Sequence, residues 1–409
     1  MRQTFRCTGS DTVRATIIAL GIVGCSKTTT PAAPHTFVTR LGNDTIAVET
    51  VTRSGNHVTT EAVDRFPRVR KRHTDITLAP DGGIQHLTMD ITTPSEPENQ
   101  RQRHVIADVN KDSIIMTKRD AAAFTRWALA DHGETVMAHV PQMYSLYELY
   151  FAAALQRMKA RGSNGRDTAQ LRQFYIDREF DKFGTHHGIV TRLADGKIEI
   201  EHDWLAGTGE ATIDSAFQLQ HYSGARTTYK VDVTRVADSP DIAALATRFA
   251  AEEAKGGGAK QLSVRDTVRA TIGAAAFTVD YARPLARGRK LLGDIIPFGN
   301  VWRTGANAAT QFTTTVPITV GTLKLVPATY TLWTLPRADG TVDLIINKQS
   351  GQWGTEYDHS RDLGATPLKT EVANPPVEEF TIAIQSGDAH HGTLVIEWGS
   401  FRWTVPIVL

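Results

Sequence analysis

Short runs in which apolar and polar residues alternate recur along almost the whole chain, and this period of two constrains the fold more than any other feature. Residues 45–52 (TIAVETVT) alternate, residues 75–78 lead into the turn Pro80-Asp81-Gly82-Gly83, and residues 84–91 resume the alternation. Successive side chains of a strand point to opposite faces, so each run can lay an apolar edge on a core. Residues 187–193 and 197–202 flank Asp195-Gly196, a hairpin signal with room for a loop longer than two residues. Residues 227–236 (TTYKVDVTRV) read as the last strand of this region.

Two stretches break the alternation. In residues 144–159 (YSLYELYFAAALQRMK), Tyr147, Tyr150, Phe151, Ala154, Leu155 and Met158 recur at helical spacing and form one apolar face. One helix among many antiparallel strands suggests an α+β domain in which a curved sheet wraps a helix, the general plan of lipoprotein-carrier folds. Further on, Ser239 and Pro240 read as an N-cap and first helical residue, followed by Ile242, Leu245, Ala246, Phe249 and Ala250 at helical spacing. That helix is expected to end at Lys255, before the flexible joint Gly256-Gly257-Gly258.

The chain has 409 residues, more than one core usually supports, which argues for two domains. Its 41% hydrophobic and 22% charged residues are ordinary for a globular protein, and no apolar run reaches the twenty or so residues of a membrane-spanning helix. The start is different. Arg2, Arg6 and Arg14 precede a short apolar run, residues 15–24, which ends Ile22-Val23-Gly24-Cys25. This is the layout of a secretory signal, and its end resembles the bacterial lipobox, in which the cysteine is diacylated and becomes the mature N-terminus. Residues 1–24 are therefore expected to be a signal peptide, Cys25 the lipidation site and residues 25–34 a tether. Ser26 favours an outer-membrane address, facing the periplasm or the cell surface.

Removing residues 1–24 takes away three arginines and one aspartate, leaving 42 basic against 43 acidic residues, a net charge of −1. A nucleic-acid partner is not expected from so balanced a surface. Of the two cysteines, Cys7 would leave with the signal and Cys25 would carry lipid, so the mature body would hold no thiol. The heptapeptide DTVRATI occurs twice, at residues 11–17 and 266–272, without matching flanks. It is not a tandem domain, and nothing physical explains it.

Residues 263–409 read as strands again, at 277–281, 311–316, 330–335, 342–347, 380–385, 392–398 and 401–408, with Pro and Gly between them. That spacing implies an all-β sandwich or jelly roll. The expected fold is mainly β, with a β-rich domain at 35–236, a helical and Gly-rich linker at 237–262 and the sandwich at 263–409.

Several motifs in the last part are distinctive: Val279-Asp280-Tyr281-Ala282-Arg283-Pro284, Arg287-Gly288-Arg289-Lys290, Ile296-Pro297-Phe298-Gly299, Val301-Trp302-Arg303-Thr304-Gly305-Ala306-Asn307, Pro327-Ala328-Thr329-Tyr330, Ile346-Asn347-Lys348 and Gln352-Trp353-Gly354. On these residues the stretch resembles the bacterial family known as domain of unknown function 2911, a resemblance that brings no activity with it. Arg287 stands where the family commonly has Lys, and Thr329 where a Gly usually precedes the tyrosine. The second change is expected to alter a turn, since Thr cannot reach positive φ cheaply.

Arg283, Arg289, Trp302, Arg303 and Asn307 crowd into 25 positions rich in loops. Guanidinium forks suit carboxylate or phosphate, Asn both donates and accepts, and an indole face suits a sugar ring or a cation. Together they describe a cleft for a polar ligand, anionic or glycan-like. The competing reading makes Trp302 and Trp353 core anchors and has the arginines pin loops through Asp280, Asp294 or Asp358. For catalysis the candidates are Glu356 and Asp358, which would share a face if they lay on a strand and could then raise one another's pKa. The pairs His186-His187 and His390-His391 invite a metal, but neighbours in a strand diverge and no third ligand follows at a recognisable spacing, so no metal is expected.

No HExxH, GxSxG or Walker-type loop occurs, and Gly207-Thr208-Gly209 lacks the rest of a dinucleotide fingerprint. The leading expectation is a non-enzymatic envelope lipoprotein without a cofactor, held to the membrane by lipid and binding a small polar molecule or glycan. The alternatives are an enzyme acting on envelope glycans and a purely structural protein.

Overall fold

The computed structural model describes residues 33–66, 68–121, 123–130, 135–176, 185–202, 205–255 and 262–409. Cys25 with its signal, the tether up to residue 32, the first DTVRATI copy and the Gly256-Gly257-Gly258 joint lie outside these residues. The protein is mainly β.

The first body is one fifteen-stranded sheet. Its first eight strands form an antiparallel meander from His35–Leu41 out to one edge at Phe124–Ala130. The other seven begin at the opposite edge, Val136–His139, and return by Asp232–Val236 to pair with the first strand. The expected last strand thus covers only its second half and lies in mid-sheet. Six Cα steps, about 20 Å at most, join the ends of the two edge strands, so the sheet curls back on itself.

Inside the curl lies the helix Tyr144–Ala160, the crossover between the parallel strands Val136–His139 and Asp167–Tyr175. Its burial extends beyond the single apolar face read from the sequence. Thirteen of its residues are buried, including Tyr144, Leu146, Leu149 and Ala153 on the sides the expected face left out. A helix apolar all round is one wrapped all round.

Both hairpins form, each with a three-residue loop. Ala79 N–H donates to Gly83 and Leu193 N–H to Lys197, with Gly82 and Gly196 at φ 85° and 86°. Only glycine takes that left-handed conformation without cost.

The linker helix runs Ile242–Ala254 and is capped by Asp241, whose carboxylate accepts from Ala244 N–H at 2.9 Å, and not by Ser239. Pro240 therefore precedes the cap. Ile242, Ala246 and Phe249 bury against Val48, Val63 and Val69 on the outer face of the large sheet.

The second body is a sandwich of a six-stranded and a four-stranded sheet around its own core, which includes Phe277, Phe312, Phe380, Trp398 and Trp403. The repeated heptapeptide falls in its first strand, Ser263–Ile272. The two strands expected at 392–398 and 401–408 are one strand, His391–Val408, continuous through Gly399 at φ 56°. Thr329 sits within a strand, opposite Thr313, with their hydroxyls 2.9 Å apart, so no turn at that position is altered.

The bodies meet where the turn at Gly42 and Asn43 presses on the Arg287-Gly288 turn. Asn43 N–H donates to the Arg287 carbonyl at 3.0 Å, and the Arg287 guanidinium pairs with Asp44. A Cβ on Gly42 would stand 2.2 Å from the Arg287 carbonyl oxygen, so only glycine permits this approach.

Candidate functional site

A cavity of about 700 Å³ opens at this junction, within the usual size range of small-molecule sites. Its apolar wall includes Leu41, Phe66, Leu262, Ile295, Pro297, Trp302 and Trp398. Arg226, Lys230, Arg289, Arg303 and Asn307 supply the polar side, and no Asp or Glu among the described residues lines it. A second cavity, of about 520 Å³, holds one carboxylate among the described residues, Glu148, which pairs with its Arg235 at 2.6 Å, and a further cation, Arg53.

The segment 301–307 is built as a strained, clamped loop. Trp302 exchanges backbone hydrogen bonds with Thr334 at 2.8 and 2.9 Å, and the Thr310 hydroxyl donates to the Thr304 carbonyl. Thr304 and Asn307 take φ values of 49° and 60°, a left-handed region that is unusual for a β-branched residue such as Thr304. The Trp302 ring lies parallel to Trp398 at 5.9 Å, with Phe380 edge-on at 5.3 Å. Trp302 is thus half-buried on an aromatic base, whereas Trp353 is 51% exposed. The Gln352-Trp353-Gly354 motif braces the loop from behind: Gly354 N–H donates to the Asn307 carbonyl at 2.9 Å. A Cβ on Gly354 would stand 1.9 Å from the Arg303 Cδ, so the arginine stem runs across a place only glycine leaves open.

Burial lowers the pKa of the Arg303 guanidinium below its ordinary value. Its buried Nε has no hydrogen-bond partner among the described residues, and no carboxylate there pairs with it. Arg289 spends Nε on the Ala286 carbonyl (3.0 Å) and Nη2 on that of Leu285 (2.6 Å). Burial, then the charge of Arg287, pushes its pKa down to about 10, so it stays cationic at neutral pH.

The large sheet contributes Lys230 from an irregular excursion, residues 224–231. It is fixed by Gly224 N–H to Val231 O and Thr228 N–H to Ala206 O, at 2.8 and 2.9 Å. The Lys230 ammonium donates to the Ala225 carbonyl at 2.7 Å. Burial, then the charges of Arg303 and Arg289, lowers its pKa to about 8. Arg226, at the exposed rim, is neutralised by Glu199 and Glu210.

Of the residues singled out in the sequence, Arg289, Trp302, Arg303 and Asn307 come together here and Arg283 does not. Arg283 pairs with Asp266 at 3.1 Å and Glu379 at 2.9 Å and donates to the Phe380 carbonyl, tying strands of the sandwich together. Pinning does occur, though with partners other than those expected. Asp280, Asp294 and Asp358 pair instead with Arg265, Lys290 and Arg361.

Glu356 and Asp358 lie on a loop, not a strand, and neither lines the cavity. Glu356 accepts from Trp353 N–H, and Asp358 caps a short 3₁₀ turn through Ser360 N–H. The Ser360 hydrogen bonds hold the Asp358 carboxyl below its usual range, opposite to what a proton donor needs. His391 turns back onto Asp388. Among the described residues no group of three or more His, Cys, Asp or Glu could hold a metal ion, and no helix is long and apolar enough to cross a membrane. Sequence reasoning missed Lys230, which carries no motif.

No curated protein sequence matches the chain. Two solved structures resemble parts of it. One is a DUF1089 family protein from Pseudomonas aeruginosa, at 11% identity and a TM-score of 0.32, over 45% of this chain and 92% of that one. The other is a β-barrel-like protein of domain of unknown function DUF1849 from Brucella abortus, at 10% and 0.31, over 52% and 98%. Residues 263–407, the sandwich that carries Arg289, Trp302, Arg303 and Asn307, match the family described as protein of unknown function (DUF2911).

Proposed function

We propose that this protein is a lipid-anchored protein of the bacterial envelope that binds a polar, anionic ligand in the cavity between its two bodies. One observation carries the binding reading: Lys230, Arg289 and Arg303 share a partly buried cavity whose lining, among the described residues, holds no carboxylate. Buried charge is normally paired, and a cation cluster left without an anion is poised to take one. Trp302 offers a flat apolar face beside the charges, and Asn307 a donor and an acceptor.

The anchor reading rests on the lipobox-like residues ending at Cys25. Mass spectrometry of the mature N-terminus tests it: a diacylated Cys25 is expected, and an unmodified Cys25 would overturn it.

For the site, inorganic phosphate and glucuronate are titrated calorimetrically into the wild type and Arg303→Ala. The variant is expected to keep its fold, by circular dichroism, and to bind at least tenfold more weakly. An unfolded variant whose Arg303→Lys counterpart also fails to fold would make the arginine structural. Equal binding by both proteins would remove the site.

A further inference from the structure

We propose that the ligand is a dianionic oxyanion of the phosphomonoester class, held across the junction, with Lys230 of the large sheet facing it together with Arg289 and Arg303 of the sandwich. This rests on the binding reading above and names its chemistry. The charge of the cavity carries it. Arg226 is already neutralised by Glu199 and Glu210, and Arg289 feels the charges of Glu378 and Asp44, which leaves Lys230 and Arg303 without a carboxylate among the described residues. A neutral sugar would leave Lys230 and Arg303 uncompensated, and a monocarboxylate would leave one of them, whereas a dianion balances both.

The free donors agree. Lys230 gives one N–H to Ala225 and retains two, Arg289 retains Nη1, and Arg303, whose buried Nε lies against Gly354, retains Nη1 and Nη2 without a partner among the described residues. They serve the three terminal oxygens of a phosphoryl group better than the two of a carboxylate. Beside them, Trp302, Ile295 and Pro297 form a surface for the organic part of an ester.

Because the cations come from both bodies, one bound dianion joins them, and its affinity should follow the charge of Lys230. That ammonium loses its proton near pH 8, above the range in which phosphomonoesters become dianions. Affinity is therefore highest between about pH 6 and 8, where the ester is a dianion and Lys230 is charged, and falls as pH rises through 8. The other titratable groups lining the cavity do not mimic this. Arg226 is raised by its bonds to Glu199, Tyr229 is raised by burial, Arg289 sits near 10, and Arg303 stays cationic.

The experiment titrates inorganic phosphate, glucose 6-phosphate and glucuronate into the wild type, Lys230→Met and Lys230→Arg at pH 7.5 and 9, at constant ionic strength. Glucose 6-phosphate is expected to bind at least tenfold more tightly than glucuronate and to lose affinity between the two pH values. Lys230→Met should lose at least tenfold at pH 7.5, and Lys230→Arg should keep the affinity and lose the pH dependence. Phosphate binding as tight as that of the ester would mean the free anion is the ligand and would overturn the ester.

Glucuronate binding as well as glucose 6-phosphate, or an unchanged Lys230→Met, would overturn the inference and leave the cavity reading standing. Failure of all three probes to bind would remove both. If Lys230→Met does not fold, Lys230→Arg decides, and an affinity loss that persists at pH 9 counts against the inference.

Discussion

At the residue scale, the large sheet holds a carboxyl where none is easily accommodated. Glu49 is 1% exposed, accepts from Ser145 N–H at 2.9 Å and from the Ser145 hydroxyl, and burial raises its pKa from 4.5 to about 7. The folded protein therefore holds a proton there that the unfolded chain releases above about pH 4.5. Stability from this group is highest below pH 4.5 and falls as pH rises to 7, by roughly 3 kcal/mol. Glu49→Gln can make both Ser145 contacts without the charge. Urea unfolding at pH 5 and pH 8 should show the variant matching wild type at pH 5 and more stable at pH 8. A larger loss at pH 8 than at pH 5 would contradict this.

The same scale shows how far the site was legible beforehand. The density of Arg, Trp and Asn around 283–307 drew attention to the right segment, because motif residues are close in sequence. Sequence proximity could not separate Arg283 from Arg289, since only the fold decides which side of the sandwich each guanidinium reaches. Lys230 stood 59 positions before Arg289 with no pattern around it, and became visible only when the excursion at 224–231 was seen facing the sandwich.

At the scale of elements, local signals read best where one rule governed the outcome. Both hairpins formed where Gly82 and Gly196 supply left-handed φ. The linker helix took Asp241 as its cap because a carboxylate that reaches Ala244 N–H satisfies a free donor of the first turn. Asp241→Ala should cost about 1 kcal/mol in thermal or urea unfolding, whereas Ser239→Ala should cost almost nothing. Equal losses would return the cap to Ser239.

The central helix was read as one-faced because periodicity records where apolar residues recur, not how many neighbours a curling sheet will supply. The Glu356 and Asp358 pairing failed for a related reason. A two-residue spacing implies a shared face only on a strand, and these residues lie on a loop.

Gly354 ties the loop at 301–307 to its brace. Gly354→Ala places a methyl against the Arg303 stem and the Asn307 carbonyl, and should cost about 1–3 kcal/mol of stability. It should also weaken phosphate binding, because Arg303 must move. Unchanged unfolding and binding would show that the loop accommodates the methyl freely.

At the scale of the molecule, the two bodies keep separate cores and meet through small contacts, Gly42 and Asn43 against the Arg287 turn, with the cation-lined cavity beside them. A ligand held from both sides stabilises the joined arrangement by mass action. At a concentration 100 times its dissociation constant, a phosphomonoester should raise the unfolding free energy by about 2.7 kcal/mol.

The most direct measurement is diffraction from crystals of the protein grown with tungstate, a dianionic oxyanion with a strong anomalous signal. An anomalous peak is expected inside the junction cavity, within hydrogen-bonding reach of Lys230, Arg289 and Arg303. Peaks confined to lattice contacts or to the exposed rim at Arg226, with that cavity holding none, would contradict the assignment.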